Sequence, residues 1–124
     1  MKILHIAYSL NEQSAAFRLA EEQAINQGHQ IYFMLARKST SSFVESRRIF
    51  PFLTTLIGVT AHLIDHILRK CFVSSDEVFS IGINLPLKNW IFENLIYRIR
   101  PDVIHIHWGG YSFITPSFLT KLSK

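Results

Sequence analysis

The chain has one cysteine, Cys71, so no disulfide can form within it. That excludes a small cross-linked fold and fits a reducing compartment. Glycine is scarce, and none stands in the loop after the first apolar segment, Ser9-Leu10-Asn11-Glu12-Gln13-Ser14. A dinucleotide fingerprint needs glycines there for the tight turn and for phosphate approach, so NAD and FAD chemistry is not expected. There is no Walker A segment and no G-x-S-x-G elbow. This removes P-loop hydrolysis and the α/β-hydrolases. The longest apolar run, Ile49 to Ile64, is broken by Thr54, Thr55, Gly58, Thr60 and His62, and it falls short of the roughly 18 residues of a spanning helix. The first apolar segment, Ile3 to Tyr8, is too short for a signal-peptide core and carries His5. No helix-turn-helix, finger or RNP-like pattern appears, so nucleic acid is not an expected partner. The reading is a cytoplasmic protein, with peripheral contact to the inner face of a membrane left open.

Charge is also sparse, at 18% of residues against 48% hydrophobic, and 124 residues suffice for one domain with a core. The formal net charge of +4 has one source. Arg37, Lys38, Arg47, Arg48, Arg69 and Lys70 face only Glu45 and Asp65 between positions 37 and 70, whereas elsewhere seven bases meet seven acids. An anionic partner such as a lipid surface or a diphosphate would meet the protein there, unless the segment is simply a solvated basic loop.

The ordered part of the pattern is strand–helix–strand. Lys2 to Tyr8 predicts a buried parallel strand, and Gln30 to Ala36 a second. Between them a helix is expected from about Ser14 to Gln27, with Ala16, Leu19, Ala20, Ala24 and Gln27 along one side and Gly28 as its stop. Arg37 to Arg48 is polar and predicts a mobile loop. Pro51 to Lys70 predicts a helix whose stripe of Leu53, Leu56, Ile57, Thr60, Leu63, Ile64, Ile67, Leu68 and Cys71 packs on the sheet. With bases at both ends, the same helix also fits a membrane interface. A short strand at Val78 to Ile83, a helix at Leu87 to Ile99, a buried strand at Asp102 to His107 and a helix at Ser112 to Leu122 complete the series. The expected class is α/β: a Rossmann-like parallel sheet with helices on both faces, incomplete at the C-terminus. Residues 1–124 then form a single partial domain.

The candidate chemistry lies at strand ends. In a doubly wound sheet, ligands bind in the crevice at the carboxyl edge. The run Arg100-Pro101-Asp102-Val103-Ile104-His105-Ile106-His107 leads into Trp108-Gly109-Gly110 at such an edge. His105 and His107 share a face because strand side chains alternate, and His5 on the first strand is expected beside them. Three histidines together suggest a general-base cluster or a metal site, or simply packed rings bonded to backbone and water. No Cys, Asp or Glu stands beside them, so a metal is not expected. His107, at the strand end, is the one placed to reach a ligand. Gly109, Gly110 and Ser112 can present N–H groups to an anion or a sugar hydroxyl, or form an ordinary turn under a Trp108 lid. Cys71 beside Lys70 reads as a small core residue rather than a nucleophile.

Met1-Lys2-Ile3-Leu4-His5-Ile6, Gly28-His29, Arg37-Lys38-Ser39 and Arg100-Pro101-Asp102-Val103-Ile104-His105-Ile106-His107-Trp108-Gly109-Gly110 together resemble the N-terminal part of GT-B-fold glycosyltransferases of the family-4 type, as found in bacterial surface-polysaccharide synthesis. The resemblance runs in order over nearly the whole chain, with residues 43 to 98 alike only in character. It implies transfer of a sugar from a nucleotide-sugar to a glycan or lipid-linked acceptor, without a resident cofactor and usually without a metal. It also implies that His105, His107, Trp108, Gly109 and Gly110 line the acceptor side. Ser9, Asn11 and Ser14, in the loop after the first strand, would lie near the donor phosphates. The family's Gly-Gly-Ala in that loop corresponds here to Gln13-Ser14-Ala15-Ala16. No catalytic residue is assigned. The family's donor-binding domain has no counterpart in these residues, so the resemblance implies a fragment or one subunit of a split enzyme, inactive alone. The alternative is a non-catalytic binding or assembly module that uses residues 37–70 at a membrane surface or a partner subunit. A receiver-like domain fits poorly, since only Glu12 supplies an acid after the first strand.

Overall fold

The computed structural model describes residues 1–71 and 86–107, together with Phe118, Thr120 and Leu122, which are helical. In chain order the elements are β1 (Lys2–Ala7), α1 (Ala15–Ile25), β2 (Gln30–Leu35), α2 (Ser42–Ser46), α3 (Pro51–Cys71), α4 (Pro86–Ile99) and β3 (Val103–Ile106). The three strands form an open parallel sheet in the order β2-β1-β3. The fold is therefore α/β. The expected strand at 78–83 and most of the expected helix at 112–122 lie outside the described residues.

Central β1 is buried from Ile3 to Ala7. A strand paired on both edges and covered on both faces has no solvent side, which is why its apolar residues run without alternation. Its level against its neighbours is set at both ends. The Asp102 N–H donates to the Lys2 carbonyl at 2.8 Å, and the Lys2 N–H donates to Asp102 Oδ2 at 2.7 Å. At the far end the His107 N–H donates to the Ile6 carbonyl at 2.9 Å, and the Ala36 N–H to the Tyr8 carbonyl at 3.1 Å. Residues following β1 and residues following β3 thus leave the sheet at one rim.

One face of the sheet carries α1 and α2, packed through Phe17, Ala20 and Val44 onto Ile3, Phe33 and Leu35. The other carries α3 and α4, where Leu53, Ile57, Phe92 and Ile96 cover Leu4, Ile6 and Met34. Ser14 begins α1 by accepting the Phe17 N–H on its hydroxyl at 3.1 Å, and Gly28 follows the helix with φ +67°. The left-handed backbone there suits glycine. The inward side of α1 is Phe17, Ala20 and Gln23, whereas Leu19 and Gln27 are exposed, which corrects the expected stripe.

Three further expectations change. Residues 37–48 are built in rather than loose. Ser39, Ser41 and Val44 are buried, and the Arg47–Ile49 stretch pairs with Phe33 through hydrogen bonds of 3.0 and 2.8 Å, covering the outer edge of β2. The side chain of Arg48, counted among the bases open to an anion, is only 3% exposed. Its guanidinium donates to the Leu35 and Pro51 carbonyls, to the Thr55 hydroxyl and to Glu45, because a buried cation is tolerated only where acceptors surround it. In α3, Leu56, Thr60, Leu63 and Ile67 face outward, not onto the sheet. Leu53 and Ile57 reach the sheet half-buried, and the fully buried positions are the small ones, Thr54, Gly58 and Ala61. A Cβ at Gly58 would stand 2.3 Å from the Ala36 Cβ. Finally, β3 is half-buried with Ile106 exposed, as an outer strand of the described sheet has a neighbour on one edge only.

Candidate functional site

Parallel pairing places His5 opposite His105, and His107 follows one step beyond β3 on the same face. The His5 ring stacks on both, with centroids 5.0 Å from His105 at 27° and 5.2 Å from His107 at 8°. From the covering helix α1, Gln23 reaches into the same space. Its Oε1 lies 3.0 Å from His5 Nε2 and its Nε2 lies 3.3 Å from His105 Nε2, while His5 Nδ1 lies 2.9 Å from His107 Nε2.

These contacts determine where the ring protons sit. An amide oxygen only accepts, so His5 Nε2 carries a hydrogen and donates to Gln23. In a neutral ring His5 Nδ1 is then an acceptor, so His107 Nε2 must donate to it. His107 Nδ1 is left as an unprotonated lone pair at the sheet rim. The amide nitrogen of Gln23 donates to His105 Nε2, which places the hydrogen of His105 on Nδ1. Both nitrogens of the fully buried His5 are satisfied, and this is what lets a polar ring stand in the middle of an apolar strand.

Electrostatics keep His5 and His107 neutral. Burial pushes His5 from 6.5 down to about 4; the Gln23 hydrogen bond opposes this, and the neighbouring His107 and His105 add to it. His107 is also held below its ordinary value, first by burial and then by His105. A neutral, half-buried imidazole whose Nδ1 has no partner among the described residues can accept a hydrogen bond from a hydroxyl or take its proton. Among the described residues no set of three His, Cys, Asp or Glu side chains is placed to hold a metal ion.

The other sequence candidates fare differently. Ser9 is exposed where the chain leaves β1. Asn11 and Ser14 are engaged in the turn that begins α1: Asn11 Oδ1 accepts from the Gln13 N–H at 3.2 Å, and the Ser14 hydroxyl donates to the Asn11 carbonyl at 2.8 Å. Trp108, Gly109 and Gly110 lie outside the described residues. Gln23 was missed, because a lone glutamine on a helix reads as solvated. Its position three residues after Ala20 and six after Phe17 was the available signal. A depression of about 450 Å³ lined by Met1, Lys2, Gly28, Gln30, Arg100 and Asp102 lies at the opposite, amino edge of the sheet.

Compared with known proteins, the chain matches no family model, no curated protein and no solved structure.

Proposed function

We propose that the chain forms the acceptor side of a sugar-transfer enzyme, the N-terminal half of a GT-B-type glycosyltransferase working at the cytoplasmic face of a membrane. It would help move a sugar from a nucleotide-sugar to a glycan or lipid-linked acceptor. One observation carries this reading: His107 stands at the rim shared by β1 and β3, and His5 holds its ring with Nδ1 as the acceptor. That group suits a sugar hydroxyl, which must be oriented and relieved of a proton when it attacks the donor. The quoted sequence pattern supports the same assignment. Half a cleft cannot position both reactants, so transfer requires a second, donor-holding domain, on the same polypeptide or on another. No resident cofactor is invoked, since the nucleotide-sugar is itself the substrate.

The test is titration of the chain with short neutral oligosaccharides and with nucleotide-sugars, followed by calorimetry and by NMR of labelled histidine rings. Saccharides should shift the His107 ring with a dissociation constant on the order of 1 mM, weak because these residues supply only one wall of a cleft. If the His107 ring stays unmoved by saccharides well above that concentration, the reading is wrong. A non-catalytic binding module acting through residues 37–70 is the second reading, favoured by the apolar outward face of α3, and the two are compatible on one chain.

A further inference from the structure

Phe52, Leu56, Val59, Leu63 and Ile67 are between 50 and 82% exposed. Singly, exposed apolar side chains are ordinary. Here they recur at intervals of four, three, four and four residues, which keeps them within an arc of about 80° along about 22 Å of helix. The side of α3 turned to the sheet carries Thr54, Gly58 and Ala61 fully buried, beside the half-buried Leu53 and Ile57. A helix that only covers a sheet leaves its outer side polar, whereas α3 carries large apolar residues on both sides. Its small residues let it sit close on β2, and its outward apolar ones form a continuous ridge.

The surrounding charge says what that ridge meets. Arg37 and Lys38, which follow the Ala36 that Gly58 packs on, are exposed, and Lys70 is exposed at the end of α3, whereas Arg47 turns onto Phe43 of α2 on the other face of the sheet. Between positions 37 and 70 the acids are Glu45, which is bonded to Arg48, and Asp65. Glu21 and Glu22 belong to α1, which covers the opposite face of the sheet. On the ridge's own side, α4 also turns Leu87, Trp90 and Tyr97 outward. Tryptophan and tyrosine favour the boundary between lipid and water, where a ring can be apolar at one end and wet at the other. Among the described residues no helix is long and apolar enough to cross a membrane.

We propose that the outward face of α3 docks on an anionic lipid bilayer, with the helix lying in the plane of the interface, its apolar ridge among the acyl chains and Arg37, Lys38 and Lys70 on the lipid phosphates. This does not rest on the sugar-transfer reading. A second copy of the chain is the competing occupant of the ridge, and the basic rim disfavours it, because two like-charged rims would meet.

The chain is incubated with vesicles of phosphatidylcholine alone and with vesicles that also contain phosphatidylglycerol, and the bound fraction is sedimented. Each basic residue at an anionic surface strengthens partitioning by about fivefold. The anionic vesicles should therefore bind at least about tenfold more tightly, and high salt should weaken that preference. The double substitution L56S/L63S should abolish sedimentation without changing the far-UV circular dichroism, since both side chains are already in water. R37E/K38E should lower binding by at least about tenfold. Equal binding to both vesicle types, or none to either, overturns the proposal. So does a concentration-dependent dimer that L56S/L63S breaks while vesicles go unbound, which would assign the ridge to a second copy. Loss of vesicle binding with saccharide shifts at His107 intact would leave the sugar-transfer reading standing, so the two fail separately.

Discussion

Acidification should weaken this fold chiefly through His5. The ring is fully buried and held at about 4, mainly because burial penalises its charged form, whereas in the unfolded chain it titrates near 6.5. Between those values the unfolded state binds more protons than the folded one, so stability rises with pH across the window. The full contribution is present above about 6.5 and is lost as pH falls towards about 4. Two and a half pKa units correspond to roughly 3 kcal/mol, a large part of the 5–15 kcal/mol typical of a domain. His107 acts in the same direction with less weight, as it is only half-buried. Urea unfolding at about pH 7.5 and about pH 4.5, for the native chain and for His5→Phe, isolates the effect. The variant starts from lower stability, because Gln23 and His107 lose their partner, so the comparison is between the two pH dependences. The native chain should lose about 2–3 kcal/mol more than the variant over this interval. Equal losses in the two proteins would refute the reasoning.

Helix propensity alone predicts that Gly58→Ala gains about 1 kcal/mol. The 2.3 Å approach to Ala36 predicts the opposite, a loss of roughly 2–3 kcal/mol from overpacking. In a double-mutant cycle Ala36→Gly should recover part of that loss, and a stabilising Gly58→Ala would show that α3 does not sit this close to β2. Arg48→Ala removes the group that ties Leu35, Pro51, Thr55 and Glu45 together. It should cost roughly 2–4 kcal/mol in urea melts, and a cost near zero would mean that Arg48 is the solvated residue its sequence context suggests. Arg100 follows α4 with φ +50°. Arg100→Gly should therefore raise stability by roughly 0.5–1 kcal/mol, read as a higher Tm.

What could be read from sequence divides along physical lines. The strands were legible because a doubly covered parallel strand leaves an unbroken apolar run, and Gly28 was legible because a left-handed turn after a helix favours glycine. The meeting of His5, His105 and His107 was legible from alternation along strands plus the usual neighbour of a first strand. The orientation of α3 was not. Both of its sides carry apolar residues, and periodicity places them on a wheel without saying which arc is covered. Side-chain size held the answer, since Thr54, Gly58 and Ala61 mark a close approach. Arg48 was hidden by its neighbours, because a charge run is ordinarily solvated and only the Glu45 spacing hinted at a pair. Gln23 needed its partner across the sheet to have meaning.

A histidine at the centre of β1 is a poor choice for stability alone. An aliphatic side chain would bury as much area without polar nitrogens needing partners, and replacing both members of a buried polar pair by apolar groups is often neutral or stabilising. His5→Leu combined with Gln23→Leu should therefore fold about as well as the native chain and lose much of its acid sensitivity. His105 and His107 are half-buried and can turn to water for the bonds they lose. The variant gives up the hold on the His107 ring. In the native protein His5 and Gln23 cover the two ring N–H groups of His5 and His107, so their protons should exchange slowly with water and give resolved NMR signals. In the double variant the His107 signal should vanish into the solvent and the response of that ring to saccharides should weaken. A stable double variant with an undiminished saccharide response would mean that His5 and Gln23 serve packing alone and that His107 needs no support from beneath.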